Sequence, residues 1–311
     1  MNILPITKIN FKGYDAVPLK HLHLADFMTP YFPELTEISK KEGFTIETQQ
    51  SNFEWLQDTF EAIDKNGKVE HYKNDKLAGD PDFIAGGNMY IGKYPNGEKW
   101  MLLGRNDTIL KSKKQIADKY NIKPENIIIM PQADYHLDMF IRPVGYPYVL
   151  INDPALVKKE LQKLPKGSKD YRKLYENYEK HEYSASKVKA LNDAAKELKS
   201  RGFIPIKVPG VWGSGINFMN AIVNKNPDLN TISYITNSTN CDSALYSRIE
   251  KIFERDLRKK LQNAGSVYFI KGQEQWQKPE KPFNFMMMTL LENTAGIHCY
   301  CAEEPKFEVW V

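Results

Sequence analysis

Helix and strand patterns that alternate along the chain predict an α/β fold. Three stretches carry that prediction. Ser112-Lys113-Lys114-Gln115 has the spacing of a capping box and opens a helix to about Asn121, and the β-rich run Asn126-Ile127-Ile128-Ile129-Met130 follows it directly. Ala185 to Ser200 sets Val188, Leu191, Ala195 and Leu198 on one helical face with lysines on the other. Asp242 caps a helix whose Leu245, Ile249, Ile252, Phe253 and Leu257 recur at helical spacing. That helix is expected to stop near Gly265, before a strand at Ser266 to Ile270.

Other strands fill the gaps. Pro147 to Ile151 is apolar and bounded by turn residues. Phe203 to Val208 contains Pro205, which cannot donate to a ladder and so marks an edge or irregular strand. His21-Leu22-His23 alternates as a strand edge does, Phe285 to Leu291 is apolar, and a further strand is expected after Cys299. No internal repeat and no low-complexity linker divides the chain. Residues 1–311 therefore read as one domain, with a basic helical insertion near 155–201.

With 41% hydrophobic and 26% charged residues, the composition is that of a globular protein with room for a substantial core. No apolar run reaches the roughly 18 to 20 residues that a membrane span needs. Met1 to Phe11 lacks a continuous apolar stretch and a cleavage pattern, so cytoplasmic residence is the expectation. The cysteines, Cys241, Cys299 and Cys301, are an odd and sparse set that argues against a disulfide-stapled scaffold. Net charge is +4, and residues 155–201 hold 13 Lys+Arg against 7 Asp+Glu. Interleaved acids dilute that basic field and no nucleic-acid motif accompanies it, so neither nucleic acid nor membrane is an expected partner.

Four short motifs carry the chemistry: Trp55-Leu56-Gln57-Asp58, Ala85-Gly86-Gly87-Asn88, His136-Leu137-Asp138 and Gly296-Ile297-His298-Cys299. In this order they resemble the guanidine-modifying enzymes of the pentein superfamily. Agmatine deiminases carry W-x-R-D, E-G-G-N, H-x-D and G-x-H-C, and peptidylarginine deiminases carry W-x-Q-D. The resemblance spans roughly residues 50 to 305. Ile216-Asn217-Phe218 with Asn224 resembles the family's Y-x-N-F segment. Gln57 stands in place of the arginine of W-x-R-D, and Ala85 in place of the glutamate of E-G-G-N. The resemblance implies an α/β propeller of five ββαβ modules about a pseudo-fivefold axis, each module contributing its own site residues.

It also implies roles. A guanidinium group is planar, cationic and resonance-stabilised, so an enzyme that attacks its carbon must hold the nitrogens, and two carboxylates suit that task. Asp58 and Asp138 match the family positions for the pair. Cys299 matches the nucleophile and His136 the acid and base, giving a covalent thiouronium, a ureido product and ammonia, with no cofactor and no metal. Trp55, Gly87 and Asn88 are expected to line the substrate. Arg142 is read as a group for a substrate carboxylate or carbonyl, with a structural ion pair as the competing reading. His298 receives no chemical role.

Alternatives stay open at this point. An amidinotransferase would use the same set, and a noncatalytic pentein would bind a guanidino ligand only. Cys299, Tyr300 and Cys301 with His136 form a competing soft-metal reading, because two cysteines at i and i+2 of a strand share a face. The expected partner is a guanidino small molecule, such as agmatine or free arginine, or an arginine-containing protein.

Overall fold

The computed structural model describes residues 18–51, 56–65, 68–73, 84, 86–105, 113–168, 171–172, 184–211, 216–226, 228–238, 244–261, 263–270 and 297–305. Strand β1 (Leu19–Ala25) runs through a 3-10 turn into helix α1 (Pro33–Glu42) and strand β2 (Thr45–Gln49). Pro33 sits at the helix start, where no N–H is required, and Gly43 at φ 78° ends it by returning its N–H to Ser39 O. A hairpin follows, β3 (Phe60–Lys65) and β4 (Lys68–Lys73). Next come β5 (Met89–Lys93), β6 (Lys99–Gly104), α2 (Lys113–Tyr120) and β7 (Ile127–Met130). The chain continues through β8 (Ile141–Pro143), β9 (Tyr148–Asn152), α3 (Pro154–Leu161), α4 (Ala185–Ser200) and β10 (Ile204–Val208). After β11 (Ile222–Asn226), β12 (Thr231–Asn237), α5 (Ala244–Lys260) and β13 (Ala264–Ile270), a single helical turn α6 (Ile297–Tyr300) leads into β14 (Cys301–Pro305).

Among the described residues the strands form five small sheets, ordered β14-β1-β2, β3-β4, β5-β6-β7, β8-β9-β10 and β11-β12-β13. In every three-stranded sheet the middle strand pairs antiparallel on one side and parallel on the other. The parallel partner needs a crossover, and α1, α2, α4 and α5 lie in those crossovers. A ββαβ connection thus recurs without a recurring sequence, and in the first sheet β14 supplies the antiparallel strand from the far end of the chain.

Several expectations hold. Helix α4 has the expected bounds, and Pro205 lies on β10, an edge strand paired with β9. The apolar face of α4 is part of the core, with Leu191, Ala194 and Leu198 packed among Trp100, Ile141, Val149 and Phe203. Two expectations change. Helix α5 ends at Lys260, and Gly265 lies inside β13, where an added Cβ would come within 2.9 Å of Thr231 Oγ1. This glycine permits close strand approach beside a register shift, instead of stopping a helix. Strand β1, which carries His21 and His23, is a middle strand, flanked by β14 and β2. Ser112, Asp242 and Phe285 to Leu291 lie outside the described residues. No helix of the described residues is long and apolar enough to cross a membrane.

Candidate functional site

Each of the four motifs occupies one turn that feeds a strand. Leu56–Asp58 leads to β3, Gly86–Asn88 to β5, Leu137–Met139 to β8 and α6 to β14. The first three meet at Gly87. A Cβ there would lie 2.6 Å from His136 Nδ1, 2.8 Å from Gln57 Nε2 and 3.1 Å from Asp138 Oδ1, so glycine is what lets them converge. Gly86 has the same reason, since its Cβ would fall 2.4 Å from Gln57 O.

The two carboxylates share an unusual state. Asp138 is fully buried, and its Oδ2 accepts from Asn220 Nδ2 at 2.6 Å and Gln57 Nε2 at 3.2 Å, with His298 Nδ1 at 3.1 Å. Among the described residues its Oδ1 has no hydrogen-bond partner, and neither does Asp58 Oδ1 or Gln57 Oε1, although all three atoms are shielded from water. A donor-rich group is what would satisfy acceptors of this kind. Burial raises the Asp58 pKa to about 6. Asp138 adds to the rise, while His136, His298 and a hydrogen bond from Gly87 N–H oppose it.

The other flank carries both signs of charge. Arg142 Nη2 pairs with Glu303 Oε1 at 2.6 Å, and its guanidinium stacks 5.0 Å from the centroid of Tyr90. His298 stands between Asp138 and Glu303 Oε2, the latter 3.8 Å from its Nε2, with its ring stacked on Tyr90. Its pKa is raised: burial and Arg142 lower it, but the hydrogen bond to Asp138 and the negative charge of Glu303 outweigh them. Burial would raise Glu303, yet the Arg142 guanidinium and His298 hold it at about 2.

Helix α6 is anchored by asparagines. The first-turn N–H groups, which have no intrahelical partner, donate to Asn237 Oδ1 from Ile297 and to Asn220 Oδ1 from His298, both at 2.7 Å. Asn237 Nδ2 in turn donates to the carbonyls of Asn217 and Asn220. The segment after Phe218 therefore sets both Asp138 and the turn that carries Cys299. The His136 loop is held from outside by Lys187 of α4, 2.7 Å from Asp134. A cavity of about 220 Å³ adjoins the site and takes Gln57, His298, Arg142 and Glu303 into its wall, whereas Asp58, His136 and Asp138 do not line it.

Of the expected site residues, Asp58, Gly87, His136 and Asp138 come together. Asn88 is present but its side-chain oxygen accepts from Leu137 N and Gln132 Nε2, so it ties two loops instead of facing a substrate. Arg142 pairs with Glu303 through Nη2, while its Nε and Nη1 are buried with no hydrogen-bond partner among the described residues and its side chain lines the cavity. Cys299 sits in α6 and not on a strand, so alternation does not put Cys301 on its face, and Cys301 is fully buried beside Leu22 and Leu24. Trp55, Ala85 and the Cys299 side chain lie outside the described residues. Asn220, Asn237, His298 and Glu303 were missed. His298 was legible as the neighbour of Cys299 in G-x-H-C, while the asparagines carry no periodic signal.

No protein-family model matches the chain, and no curated protein matches it in sequence. Solved structures do match in shape. The C. jejuni agmatine deiminase superposes with a TM-score of 0.52 at 15% identity, covering 97% of this chain and 99% of that one. The Enterococcus faecalis agmatine deiminase gives 0.50 at 12% identity, covering 93% and 94%. At such identities the likeness speaks for the fold alone: along nearly its whole length the chain is folded as those agmatine deiminases are.

Proposed function

We propose that this chain is a cysteine-dependent hydrolase of a guanidino compound, a deiminase that converts agmatine, free arginine or peptidyl arginine to the ureido product and ammonia. The five sheets are read as the modules of a single catalytic propeller around the site. One observation carries the reading: Asp58 and Asp138, both beside Gly87 and His136, each hold a shielded oxygen with no donor among the described residues. A guanidinium supplies five N–H donors and one positive charge, which is what this pair lacks.

The chemistry follows from that placement. Asp58 and Asp138 receive the N–H groups and neutralise the cation, and Asp58 ionises fully on binding because the ligand supplies its missing counter-charge. Cys299 thiolate then attacks the guanidinium carbon, forming a C–S bond. His136 protonates the nitrogen as the C–N bond breaks, and ammonia leaves. A water gives its proton to His136 and its oxygen to the carbon of the thiouronium. The C–S bond breaks, the thiolate returns, and the ureido product departs.

A ureido-product assay across agmatine, free arginine and an arginine-containing peptide tests this. One of the three should turn over in the wild type, and none in Cys299→Ala. No ureido product from any of them, with the protein folded, removes the proposal.

A further inference from the structure

Three of the chain's six histidines collect on one side of the β14-β1-β2 sheet, apart from the carboxylate site. His21 and His23 alternate along β1 and share a face, and the antiparallel register puts His21 opposite Glu304 of β14. The third, His71, comes from β4 in a different sheet. His23 Nε2 and His71 Nε2 lie 3.0 and 2.6 Å from one oxygen, Glu304 Oε2, and the three ligand-type atoms fall within 4.8 Å of one another. Phe60 of β3 packs against both rings, at 4.7 and 5.2 Å between centroids. His23 and Glu304 are buried, while His71 is 44% exposed and leaves a path from solvent.

We propose that His23, His71 and Glu304 form a binding site for a divalent ion of the zinc class, with water or His21 in the fourth position. Two imidazoles and a carboxylate are a borderline-soft donor set that suits Zn²⁺. Tetrahedral bonds to such an ion separate the ligand atoms by roughly 3.3 Å, so each ring nitrogen needs to draw back from the carboxylate oxygen by less than about 1 Å. His21 Nε2 is 4.0 Å from Glu304 Oε1. The outer shell is also present. The Gln49 amide lies 2.9 Å from His23 Nδ1, and turned over it presents its oxygen to the Nδ1–H that remains when Nε2 binds metal. Lys20 Nζ, 3.6 Å from Glu304 Oε1 and 54% exposed, balances that carboxylate and is free to swing outward as an ion enters.

A bound ion would join the β14-β1-β2 sheet to the β3-β4 hairpin. Strand β14 follows Cys299 and β3 follows Asp58, so the ion would clamp the two carriers of the proposed site from behind.

The proposal stands apart from the deiminase reading and is tested without turnover. The full chain carrying Cys299→Ala, which removes that thiol as a ligand, is dialysed against zinc chloride and separately titrated with cobalt(II). One ion per chain and the visible absorption of four-coordinate cobalt are expected. His71→Ala, at a half-exposed ring, and Glu304→Gln should each weaken Zn²⁺ by roughly tenfold or more. Absence of stoichiometric uptake, or unchanged affinity in His71→Ala, overturns the site.

Discussion

Asp58 and Glu303 are both shielded carboxylates at one site, and burial pushes both upward, yet Glu303 is held at about 2 while Asp58 rises to about 6. The difference is the cation. At Glu303 the chain supplies Arg142 at 2.6 Å, with His298 beside it. At Asp58 the largest favourable partner is His136, with a Gly87 N–H behind it, and one oxygen is left without a donor among the described residues. A carboxylate whose counter-charge comes from its own chain is framework. One held without it is a place for someone else's cation.

The contrast can be broken at either side. The largest effect is expected from Cys299→Ala, which should lower ureido production by several orders of magnitude while leaving both carboxylates as they are. Unchanged turnover would mean that the carboxylate pair binds without Cys299 chemistry. Next comes Arg142→Leu, which strands Glu303 and should destabilise the fold by about 3 to 5 kcal/mol at pH 7, read by urea unfolding. Because the Glu303 pKa is depressed in the fold, its contribution is present above the unfolded value of 4.5 and is lost as pH falls towards 2. The deficit of the variant should therefore shrink on acidification.

Asp58→Asn should act with the opposite sign. A carboxyl raised from 3.8 to about 6 costs stability as pH rises through that window, on the order of 3 kcal/mol once fully ionised. The variant should be more stable than the wild type at pH 7.5, equal to it near pH 3.5, and weaker in binding any guanidino ligand. A loss of stability at pH 7.5 would show that Asp58 is framework after all. The smallest effect is expected at Asn237→Ala, which leaves the Ile297 N–H without its acceptor, for a loss of about 1 to 2 kcal/mol.

What the sequence made legible follows from how local each signal is. That Asp58, Gly87, His136 and Asp138 come together follows the resemblance, whose motifs are short local runs, and α4 is readable because its apolar face repeats every turn. Arg142 and Glu303 were not, since their pairing joins residues 161 positions apart and depends on where two sheets put them. Asn220 and Asn237 were hidden for a related reason: a buried asparagine is defined by the orphaned N–H groups around it, and those exist only after α6 has docked. Gly265 was misread because glycine ends helices and thins strands alike, and only the Thr231 contact decides between them.

The pairing of β1 with β14 has a temporal meaning. His23 and Glu304 are 281 positions apart, so the first sheet waits for the last described strand before its antiparallel edge is filled. Domains assemble as the chain leaves the ribosome, and long-range strand pairing is the slow step. Everything up to β13 can pack while α6 and β14 are still inside the exit tunnel. A nascent or stalled chain would then hold its carboxylates without its thiol, and the proposed activity would begin only once residue 305 has emerged and closed the ring of contacts around β1.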